Sequence, residues 1–580
     1  MSPRKASALI AAVALAGVTA IAARSTSGQA RPPADLVLTN GRIVTVEPGV
    51  PDAQALAIVG ERIAALDTSE DIKRHIGPAT RVIDLAGRLV IPGFVEGHGH
   101  FTGIGTAKLN LNLMKTSSWD QIVAMVAEAV KKAKPGEWIY GRGWHQEKWT
   151  SRPEPHIEGF PTHDSLSRVS PGNPVVLTHA SGHATFVNAR AMELSGITAK
   201  TPDPEGGDIL KDAAGNPTGL LRETASRLIR RGAGEPHPTP AEEAARARRV
   251  LELASEEVLS KGVTSFQDAG STFDEVDLMK QMIDEGRIGV RLWIMLRTDN
   301  QTLAANLAKY RTVDYASGFL TVRGIKKSID GALGPRGAWL LEPYADKPGD
   351  TGHNTTPVEE VREAARLALQ YGYQMCVHAI GDRANRETLD IFEAAFRGAP
   401  DRADLRWRIE HAQHLHPSDI ARFGKLGVIA SMQGVHCTSD APYVTARLGP
   451  RRAEEGAYVW QKLMAAGAVV TNGTDAPVED VDPIASFYAT VTRKLADGRV
   501  FYPDQRMSRM EALKSYTWNG AYAAFEEASR GSLKAGKYAD LVVLSKDILS
   551  VPEDEIPTAE VLYTIVGGKI RYRYGGQVLQ

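Results

Sequence analysis

The 580-residue sequence has little cysteine and almost no net charge. Its two cysteines, Cys376 and Cys437, cannot form a disulfide scaffold; we expect two buried apolar thiols, with a single bridge as the alternative. A formal net charge of −1 provides no basic surface for nucleic acid, so no nucleic-acid partner is expected. Hydrophobic residues at 43% and charged residues at 24% are typical of a globular chain.

Long apolar runs are also missing, except at the N-terminus. Arg4 and Lys5 precede the apolar stretch Ala6–Ala23, and the small-residue segment 28–30 follows it. These are the parts of a secretory signal peptide, predicted to cover residues 1–30 and to be cleaved near Ala30. An uncleaved membrane anchor is the alternative, because the stretch approaches spanning length. We therefore expect an exported protein, periplasmic or secreted, with no other membrane segment.

Both ends of the chain are rich in short β patterns. Asp35–Thr39 and Arg42–Val46, joined by Asn40 and Gly41, predict a hairpin. Val561–Val566 and Lys569–Tyr572, joined by two glycines, predict another hairpin near the C-terminus. Together the two ends predict one small composite β-sandwich domain, formed by residues 31–91 and 526–580.

The middle of the chain, residues 92–525, alternates short apolar strands with helices, which indicates parallel βα units. Eight strands are predicted, the number in a (β/α)₈ TIM barrel, so the predicted fold class is α/β. A further block at about 101–260 is predicted to be an insertion that caps the barrel mouth. The predicted barrel strands are Leu89–His100, Val263–Ala269, Arg291–Leu296, Gly324–Asp330, Gln374–Ile380, Trp407–Gln413, Gly427–Met432 and Ala468–Thr474.

Polar residues gather where these strands end, which is where barrel enzymes carry their functional side chains. His98 and His100 are two positions apart, so on a strand they project from one face and can share a cation. The remaining candidates come from the fourth, fifth, sixth and eighth strands. They are Lys326, His378, His411 and Asp475.

Lys326 is unusual because its strand directs it into the barrel. Ile325 and Ile329 share the face that packs on helices, whereas Lys326 shares the opposite face with Asp330. A buried ammonium is costly, so this lysine needs a counter-charge or a changed chemical form. On the sixth strand, the same alternation places His411 at the site and turns Glu410 away from it.

The ordered set resembles the binuclear pattern of the amidohydrolase superfamily. Local runs resemble its YtcJ-type branch, amidohydrolase family 3, which includes N-substituted formamide deformylases. The resemblance covers nearly the whole mature chain, and the ordered combination is far more specific than any single run. The matching runs are PGFVEGHGH, GVTSFQDAG, IKKSIDGALG, VHAIGDRANR, RIEHAQ, TNGTDAPVEDVDP and GSLKAGKYADLVVLSKD.

The resemblance implies two divalent metal ions bridged by a carbamate that CO₂ forms on Lys326. In the implied set, the more buried ion is held by His98, His100 and Asp475. The second ion is held by His378 and His411. Nitrogen and oxygen ligands suit Zn²⁺, with Mn²⁺, Fe²⁺ or Co²⁺ as alternatives. A bridging water would attack the substrate, and Asp475 would carry its proton to the leaving nitrogen. The alternatives are an unmodified Lys326 beside a single ion, a core histidine at His411 and a turn-capping Asp475.

Four further residues are predicted to lie at or near the substrate: His183, Trp144, Arg383 and Asp268. His183 and Trp144 fall in family-like runs of the inserted block, where a structural histidine and a core tryptophan are the alternatives. Asp268 and Arg383 follow strand ends and could instead orient metal ligands. The glycines of GALGPRGAW, starting at Gly331, indicate a mobile or tightly turned loop.

These features predict a metal-dependent hydrolase that cleaves C–N bonds in small amides, formamides or cyclic amides. The alternatives are ester, lactone or carbamate hydrolysis at the same site and a catalytically inactive periplasmic binding protein. A deaminase fits less well, because amidohydrolases of that type do not use the strand-four lysine. The substrate and the oligomeric state stay open, with a homodimer as one alternative.

Overall fold

The computed structural model describes residues 32–234, 238–401 and 404–576. The signal peptide predicted for residues 1–30 lies outside this part of the chain. Within it, no helix is both long and apolar enough to cross a bilayer. Cys376 and Cys437 are both buried and free, which confirms the prediction of two buried thiols.

Eight parallel strands form the barrel, and each pairs with the next in chain order, while the short strand Thr312–Asp314 pairs antiparallel with the fourth. Hydrogen bonds just beyond the eighth strand close the barrel. Gly97 N–H donates to the Asn472 carbonyl (3.0 Å), and Asp475 N–H donates to the His98 carbonyl (2.8 Å). The predicted (β/α)₈ fold is therefore confirmed. The first to eighth barrel strands are Phe94–Gly99, Val263–Ser271, Arg291–Leu296, Leu320–Ser328, Gln374–Ala379, Arg408–His411, Ile429–Ser431 and Val470–Thr471.

Amphipathic helices lie between the barrel strands and bury their apolar faces. Helix Pro240–Ser260, for example, begins at a capping box formed by Thr239 and Glu242. Its buried residues include Leu251, Val258 and Leu259, which lie in the main apolar core. The other principal barrel helices are Phe273–Asp284, Asn300–Tyr310, Val358–Tyr371, Asp382–Arg397, Pro417–Leu426, Gly434–Leu448, Trp460–Ala465, Pro483–Thr492, Arg509–Ser515 and Trp518–Ala523.

The predicted first strand, Leu89–His100, is two strands in two different sheets. Leu89–Pro92 pairs with Leu541–Leu544, whereas Phe94–Gly99 pairs with the second barrel strand. Gly93 separates them, and a Cβ at this position would lie 2.1 Å from Thr264 Oγ1. The chain can change sheets here only because Gly93 has no side chain. A continuous apolar run does not reveal such a change, so the single-strand prediction was wrong.

Two sheets form the composite β-sandwich, a confirmed part of the predicted fold. Leu38 and Ile58 of one sheet share an apolar core with Val90 and Val543 of the other. Strands of the four-stranded sheet, in spatial order, are Arg62–Asp67, Ala55–Val59, Leu36–Thr39 and Arg81–Asp84. Strands of the five-stranded sheet are Arg42–Ile43, Leu89–Pro92, Leu541–Leu544, Val561–Val566 and Lys569–Arg573.

The C-terminal hairpin was predicted correctly and the N-terminal one was not. Val561–Val566 pairs antiparallel with Lys569–Arg573. By contrast, Leu36–Thr39 and Arg42–Ile43 belong to opposite sheets of the sandwich. Asn40 has a φ of 55°, and its turn carries the chain from one layer to the other instead of folding it back.

The block between the first two barrel strands forms a six-stranded sheet with flanking helices. The helices are Phe101–Leu109, Trp119–Val130, Asp164–Val169 and Ala189–Ser195. In spatial order the strands are Gly207–Lys211, Pro217–Glu223, Ala184–Val187, Val175–His179, Ile139–Trp144 and Leu111–Asn112. Arg142 of this sheet donates to the carbonyls of Pro477 (3.2 Å) and Ala180 (3.1 Å), which joins the block to the loop beyond the eighth barrel strand.

A buried ion pair joins the barrel to the β-sandwich. The Arg291 guanidinium donates to both Asp540 oxygens (2.7 and 3.1 Å), and both side chains are nearly inaccessible. We expect Arg291→Ala to lower the free energy of unfolding by about 3–5 kcal/mol, because it leaves a buried carboxylate without its partner. Urea unfolding would measure this, with the exposed Arg499→Ala as the control. Equal stability of the two variants would contradict the prediction.

Candidate metal centre

Side chains from five barrel strands meet at the carboxyl end of the barrel. The ring centroids of His98 and His411 are 4.6 Å apart, and those of His378 and His411 are 4.5 Å apart. Asp475 Oδ1 lies 3.2 Å from His100 Nε2 and 3.6 Å from His98 Nε2. Ligand atoms of His98, His411 and Asp475 all lie within 4.8 Å of one another, so this group can hold a metal ion.

Lys326 lies on the floor of this cluster. The residue is 2% exposed, and its Nζ is 3.4 Å from His98 Nε2. Burial, and next the Arg297 guanidinium, lower the pKa of Lys326 to about 8. Neighbouring Lys327 faces away and donates to the Thr298 carbonyl (2.8 Å). The structure thus brings all six sequence-predicted ligands to one end of the barrel.

Two members of the cluster have a left-handed backbone. His411 has a φ of 77° and Asp475 a φ of 57°. This conformation is unfavourable for residues with a Cβ and is concentrated at functional sites. At the end of the sixth strand, the left-handed backbone of His411 also interrupts the alternation of side chains between the two faces of the strand. His411 turns towards the mouth, while Glu410 lies inside the barrel beside His98. The prediction that Glu410 faces away from the site was therefore wrong.

Hydrogen bonds fix which ring nitrogen of two histidines carries the proton. His98 Nδ1 donates to Glu410 Oε2 (2.5 Å), and His411 Nδ1 donates to Gln433 Oε1 (2.8 Å). In each neutral ring, Nε2 is therefore the nitrogen with a free lone pair. Burial lowers the pKa of His98 to about 4, and it lowers the pKa values of His378 and His411 well below the usual range. Neutral imidazoles are the form that binds metals.

Glu410 and Arg408 form a buried network that sequence reasoning missed. Arg408 donates to both Glu410 oxygens (2.7 and 2.9 Å) and to the Gly97 carbonyl (2.7 Å). Burial alone would raise the pKa of Glu410, but Arg408 and His98 hold it well below its usual range. Glu410 is thus a carboxylate that orients His98. The adjacent Glu410–His411 pair in the sequence was the available signal.

We expect Glu410→Gln to weaken metal binding by about 10–100-fold, because a carboxylate that orients a metal-binding histidine also raises its basicity. Competition with a coloured chelator would measure the affinity. Glu387→Gln, on helix Asp382–Arg397, is the matched control and should leave the affinity unchanged. An affinity for Glu410→Gln equal to that of the control would exclude the orienting role.

The cluster opens into a cleft between the barrel and the inserted block. The loop that begins at Gly331 forms one wall and is tightly turned, as predicted: Gly331 N–H donates to the Gly337 carbonyl (3.1 Å), and Gly337 N–H donates to that of Ala332 (2.8 Å). The apolar lining is Ala180, Ala332, Leu333, Gly334, Pro335, Ile380 and Val478. The polar lining beyond the cluster is His145, Ser181, His183, Gln413, His436, Asp440, Tyr443 and Glu479.

His183 reaches the cleft from the inserted block. Its ring lies 5.0 Å from that of His378, and its Nδ1 is 2.7 Å from Glu223 Oε2. The sheet places these two residues together, since Glu223 N–H donates to the His183 carbonyl (2.8 Å) at the ends of neighbouring strands. Burial lowers the pKa of His183, but the Glu223 carboxylate outweighs this and raises it overall. Glu223 was missed because nothing local in its sequence distinguishes it.

The other three predicted substrate residues lie outside the cleft. Trp144 was predicted wrongly: it is fully buried in the core of the inserted sheet, and its Nε1 donates to the Leu177 carbonyl (2.9 Å). Arg383 was also predicted wrongly: it does not line the cleft, its guanidinium stacks over Trp339 at 4.4 Å, and its side chain is 44% exposed.

Asp268 orients the backbone instead of lining the cleft. It accepts from the Phe101 N–H (2.7 Å) and from the Ser271 hydroxyl (2.6 Å). The Phe101 bond fixes the backbone that follows His100. This fits the sequence-based alternative of an orienting residue and leaves Asp268 without a direct place in the substrate cleft.

A (β/α)₈ barrel with histidines, a buried lysine and an aspartate at its mouth defines a metal-dependent hydrolase. The chain belongs to the amidohydrolase family, whose model matches residues 81–572. It is 34% identical over 553 residues to the protein LONG AFTER FAR-RED 3 of Arabidopsis thaliana, covering 93% of this chain and 92% of that protein.

Two bacterial relatives carry more specific names. The putative amidohydrolase YtcJ of Bacillus subtilis is 31% identical, covering 87% of this chain and 93% of the relative. The N-substituted formamide deformylase of Arthrobacter pascens is 28% identical, covering 93% and 99%. The predicted YtcJ-type membership is thus confirmed. An uncharacterized metal-dependent hydrolase from Pyrococcus horikoshii superimposes with a TM-score of 0.70 at 26% identity, covering 90% of this chain and 99% of that one.

Proposed function

We propose that the protein hydrolyses a C–N bond of an amide, formamide or cyclic amide, with water as the nucleophile and Asp475 as the proton carrier. One observation carries this proposal: four histidines, a buried lysine and an aspartate converge at the open end of the barrel, beside a cleft. Such a convergence of nitrogen and oxygen ligands suits hydrolysis assisted by a divalent metal.

The residues of the cluster fit a cation. His378 Nε2 is buried and has no hydrogen-bond partner in the described part of the chain. Neutral His98 presents its Nε2 lone pair to the Asp475 carboxylate, an arrangement that is repulsive unless a cation or proton lies between them. A divalent metal supplies that charge and, when bound, polarises a carbonyl and lowers the pKa of water. His98, His100 and Asp475 would hold one ion, and His378 and His411 a second, with Zn²⁺ as the expected metal.

Lys326 would join the two groups as a carbamate. Its Nζ has no carboxylate within 4.0 Å among the described residues, so an ammonium here would be buried without a direct counter-charge. Addition of CO₂ to the neutral amine forms an N–C bond and releases a proton to solvent, which leaves an anion. An anion facing two cations removes the cost of burying a lone positive charge.

We propose that Asp475 moves the proton. Burial would raise the pKa of its carboxyl, but His100, whose Nε2 lies 3.2 Å from Asp475 Oδ1, is the main group that lowers it, and the pKa lies well below the usual range, so the group is an anion that can accept. The carboxylate is 9% exposed and borders the cleft, where a water and a substrate can both reach it. It would take the proton of the attacking water and deliver it to the leaving nitrogen.

The choice of a C–N bond is supported by the relative named N-substituted formamide deformylase. Esters are the second candidate class of substrate, since one attacking water serves both carbonyl classes. The test is a panel of amides, formamides, cyclic amides, esters and lactones, assayed with protein loaded with Zn²⁺, Mn²⁺ or Co²⁺ and analysed for bound metal. Turnover of an amide supports the proposal. If the protein cleaves only esters, the proposal of a C–N substrate is overturned. If metal-bound protein cleaves no substrate of the panel, the proposal of a hydrolase is overturned.

We also propose that residues 1–30 direct export. The support is the sequence alone: a positive start, the apolar stretch Ala6–Ala23 and small residues before Arg31. N-terminal sequencing of protein recovered from the periplasm or medium should begin after Ala30. Recovery of full-length protein from membranes would instead support the anchor.

A further inference from the structure

One histidine in the cleft, which is not among the expected metal ligands, has a ring nitrogen without a hydrogen-bond partner in the described part of the chain. His436 lies in the first turn of helix Gly434–Leu448, after the seventh barrel strand, and is 5% exposed. It lines the cleft, and its Nε2 is buried without a hydrogen-bond partner. An unpaired buried polar atom is costly and unusual, so it calls for an explanation.

The neighbouring amide determines what this nitrogen offers. Gln413 Nε2 donates to His436 Nδ1 over 3.1 Å. A ring nitrogen that accepts carries no proton, so the neutral ring has its proton on Nε2. This is the reverse of His98 and His411, whose Nδ1 atoms face oxygen acceptors. His436 therefore presents an N–H donor where the expected metal ligands present lone pairs.

The backbone holds this donor firmly beside the cluster. Gly434 N–H donates to Asn472 Oδ1 (2.7 Å), and Val435 N–H donates to Ser486 Oγ (3.0 Å). The approach is close, because a Cβ on Gly434 would lie 2.0 Å from Thr490 Oγ1. The His436 and His411 rings are nearly parallel, at 14°, with centroids 6.3 Å apart.

Apart from Asp475, two acidic side chains line the cleft with His436, and both already have hydrogen-bond or ion-pair partners. Asp440 accepts from the hydroxyls of Tyr443 and Tyr458, and Glu479 pairs with Lys148 at 2.8 Å. Neither is a hydrogen-bond partner of His436 Nε2 in the described structure. The acceptor that this donor lacks is therefore best supplied by a molecule in the cleft.

We propose that the His436 Nε2–H group donates a hydrogen bond to the carbonyl oxygen of the substrate, and that Gln413 is the positioning residue that fixes the required tautomer. This inference rests on the proposed function, since it requires a carbonyl substrate. The oxygen gains negative charge as water adds, so the bond strengthens in the transition state and acts mainly on kcat. It favours oxygen carbonyls over thiocarbonyls, because sulfur is the weaker acceptor.

The test compares His436→Phe, His436→Gln and Gln413→Leu with the wild type, on the fastest amide of the panel and on its thioamide analogue. His163→Phe, in the inserted block outside the cleft, is the matched control. For the amide we expect His436→Phe to lower kcat by about 10²–10³-fold, with KM and metal content nearly unchanged. The loss should be clearly smaller for the thioamide. His436→Gln, which keeps a donor, should recover part of the activity, and Gln413→Leu should lower kcat less than His436→Phe does.

The outcomes separate the two proposals. If the wild type cleaves amides but His436→Phe keeps its kcat, or loses it equally on amide and thioamide, the role of His436 is overturned and the proposed function stands. If His436→Phe does not fold, His436→Gln is measured instead. Because glutamine keeps a donor, this variant should prefer the amide over the thioamide more strongly than Gln413→Leu does. An equal preference in the two variants overturns the role. If the metal-loaded wild type cleaves only esters, the C–N proposal fails and His436 is tested on the ester. If it cleaves no carbonyl substrate, both proposals fail.

Discussion

Asp475→Asn is expected to lower kcat by roughly 10²–10⁴-fold while leaving metal largely bound. Asparagine keeps the shape of the side chain and one carbonyl oxygen, so it can still occupy a ligand position. It cannot accept a proton at neutral pH. The carboxylate lies within 4.0 Å of nitrogens of His98, His100 and His411, and its pKa lies well below the usual range, so it is an anion. Steady-state kinetics with metal analysis on the same preparation would measure both effects.

Asp480→Asn is the control for Asp475→Asn. Asp480 lies five positions further along the same loop, is 59% exposed and pairs with Lys261. Its substitution should leave kcat and metal content unchanged. If Asp475→Asn retained wild-type turnover, the proton-carrying role would have to be given up. If Asp475→Asn lost metal along with turnover, the loss of a metal ligand would explain the lost turnover. A role of Asp475 in proton transfer would then not be needed.

Lys326→Met is expected to remove a bridging anion and to reduce the bound metal from two ions towards one. The loss of several kcal/mol of transition-state stabilisation corresponds to a fall in kcat of roughly 10²-fold or more. Methionine matches the length of the lysine stem and suits the buried position, which is 2% exposed, so the fold should survive. Native mass spectrometry of the wild type should show the added mass of one CO₂, which Lys326→Met should lack.

The neighbouring lysine provides the control for this experiment. Lys327 is also largely buried, but it points away from the cluster and donates to the Thr298 carbonyl. Lys327→Met should keep the CO₂ adduct, the metal content and kcat, although it can lower stability. A wild type without the adduct but with full activity would exclude the carbamate. The alternative of an unmodified lysine beside a single ion would then be the better description.

The barrel was predictable because its signals are local. Apolar strands alternating with amphipathic helices specify βα units from neighbouring residues alone, and Arg291–Leu296 was predicted with its observed bounds. The histidine pair at His98 and His100 was predictable for the same reason, because strand geometry alone places both side chains on one face. Membership in the amidohydrolase family followed from the order of such runs along the chain.

Features that depend on contacts between distant segments were not predictable in this way. Alternation placed Glu410 outside the site, but the left-handed backbone at His411 and the contact with His98, 312 positions away, place it inside. Trp144 resembled a pocket residue in the sequence, yet the inserted sheet buries it completely. The apolar run on both sides of Gly93 was predicted as one strand. In the structure, Thr264 leaves room at this position only for a glycine, and the chain changes sheets there.

The sequence by itself determined the barrel and which residue types stand at the ends of its strands, because periodicity and strand position are properties of neighbouring residues. Only the tertiary structure decided which ring nitrogen each histidine presents: Glu410 and Gln433 direct the Nδ1 protons of His98 and His411, and Gln413 does the reverse for His436. A tautomer is set by the hydrogen-bond partner, and in this protein the partner of His98 lies 312 positions away in the sequence but 2.5 Å away in space.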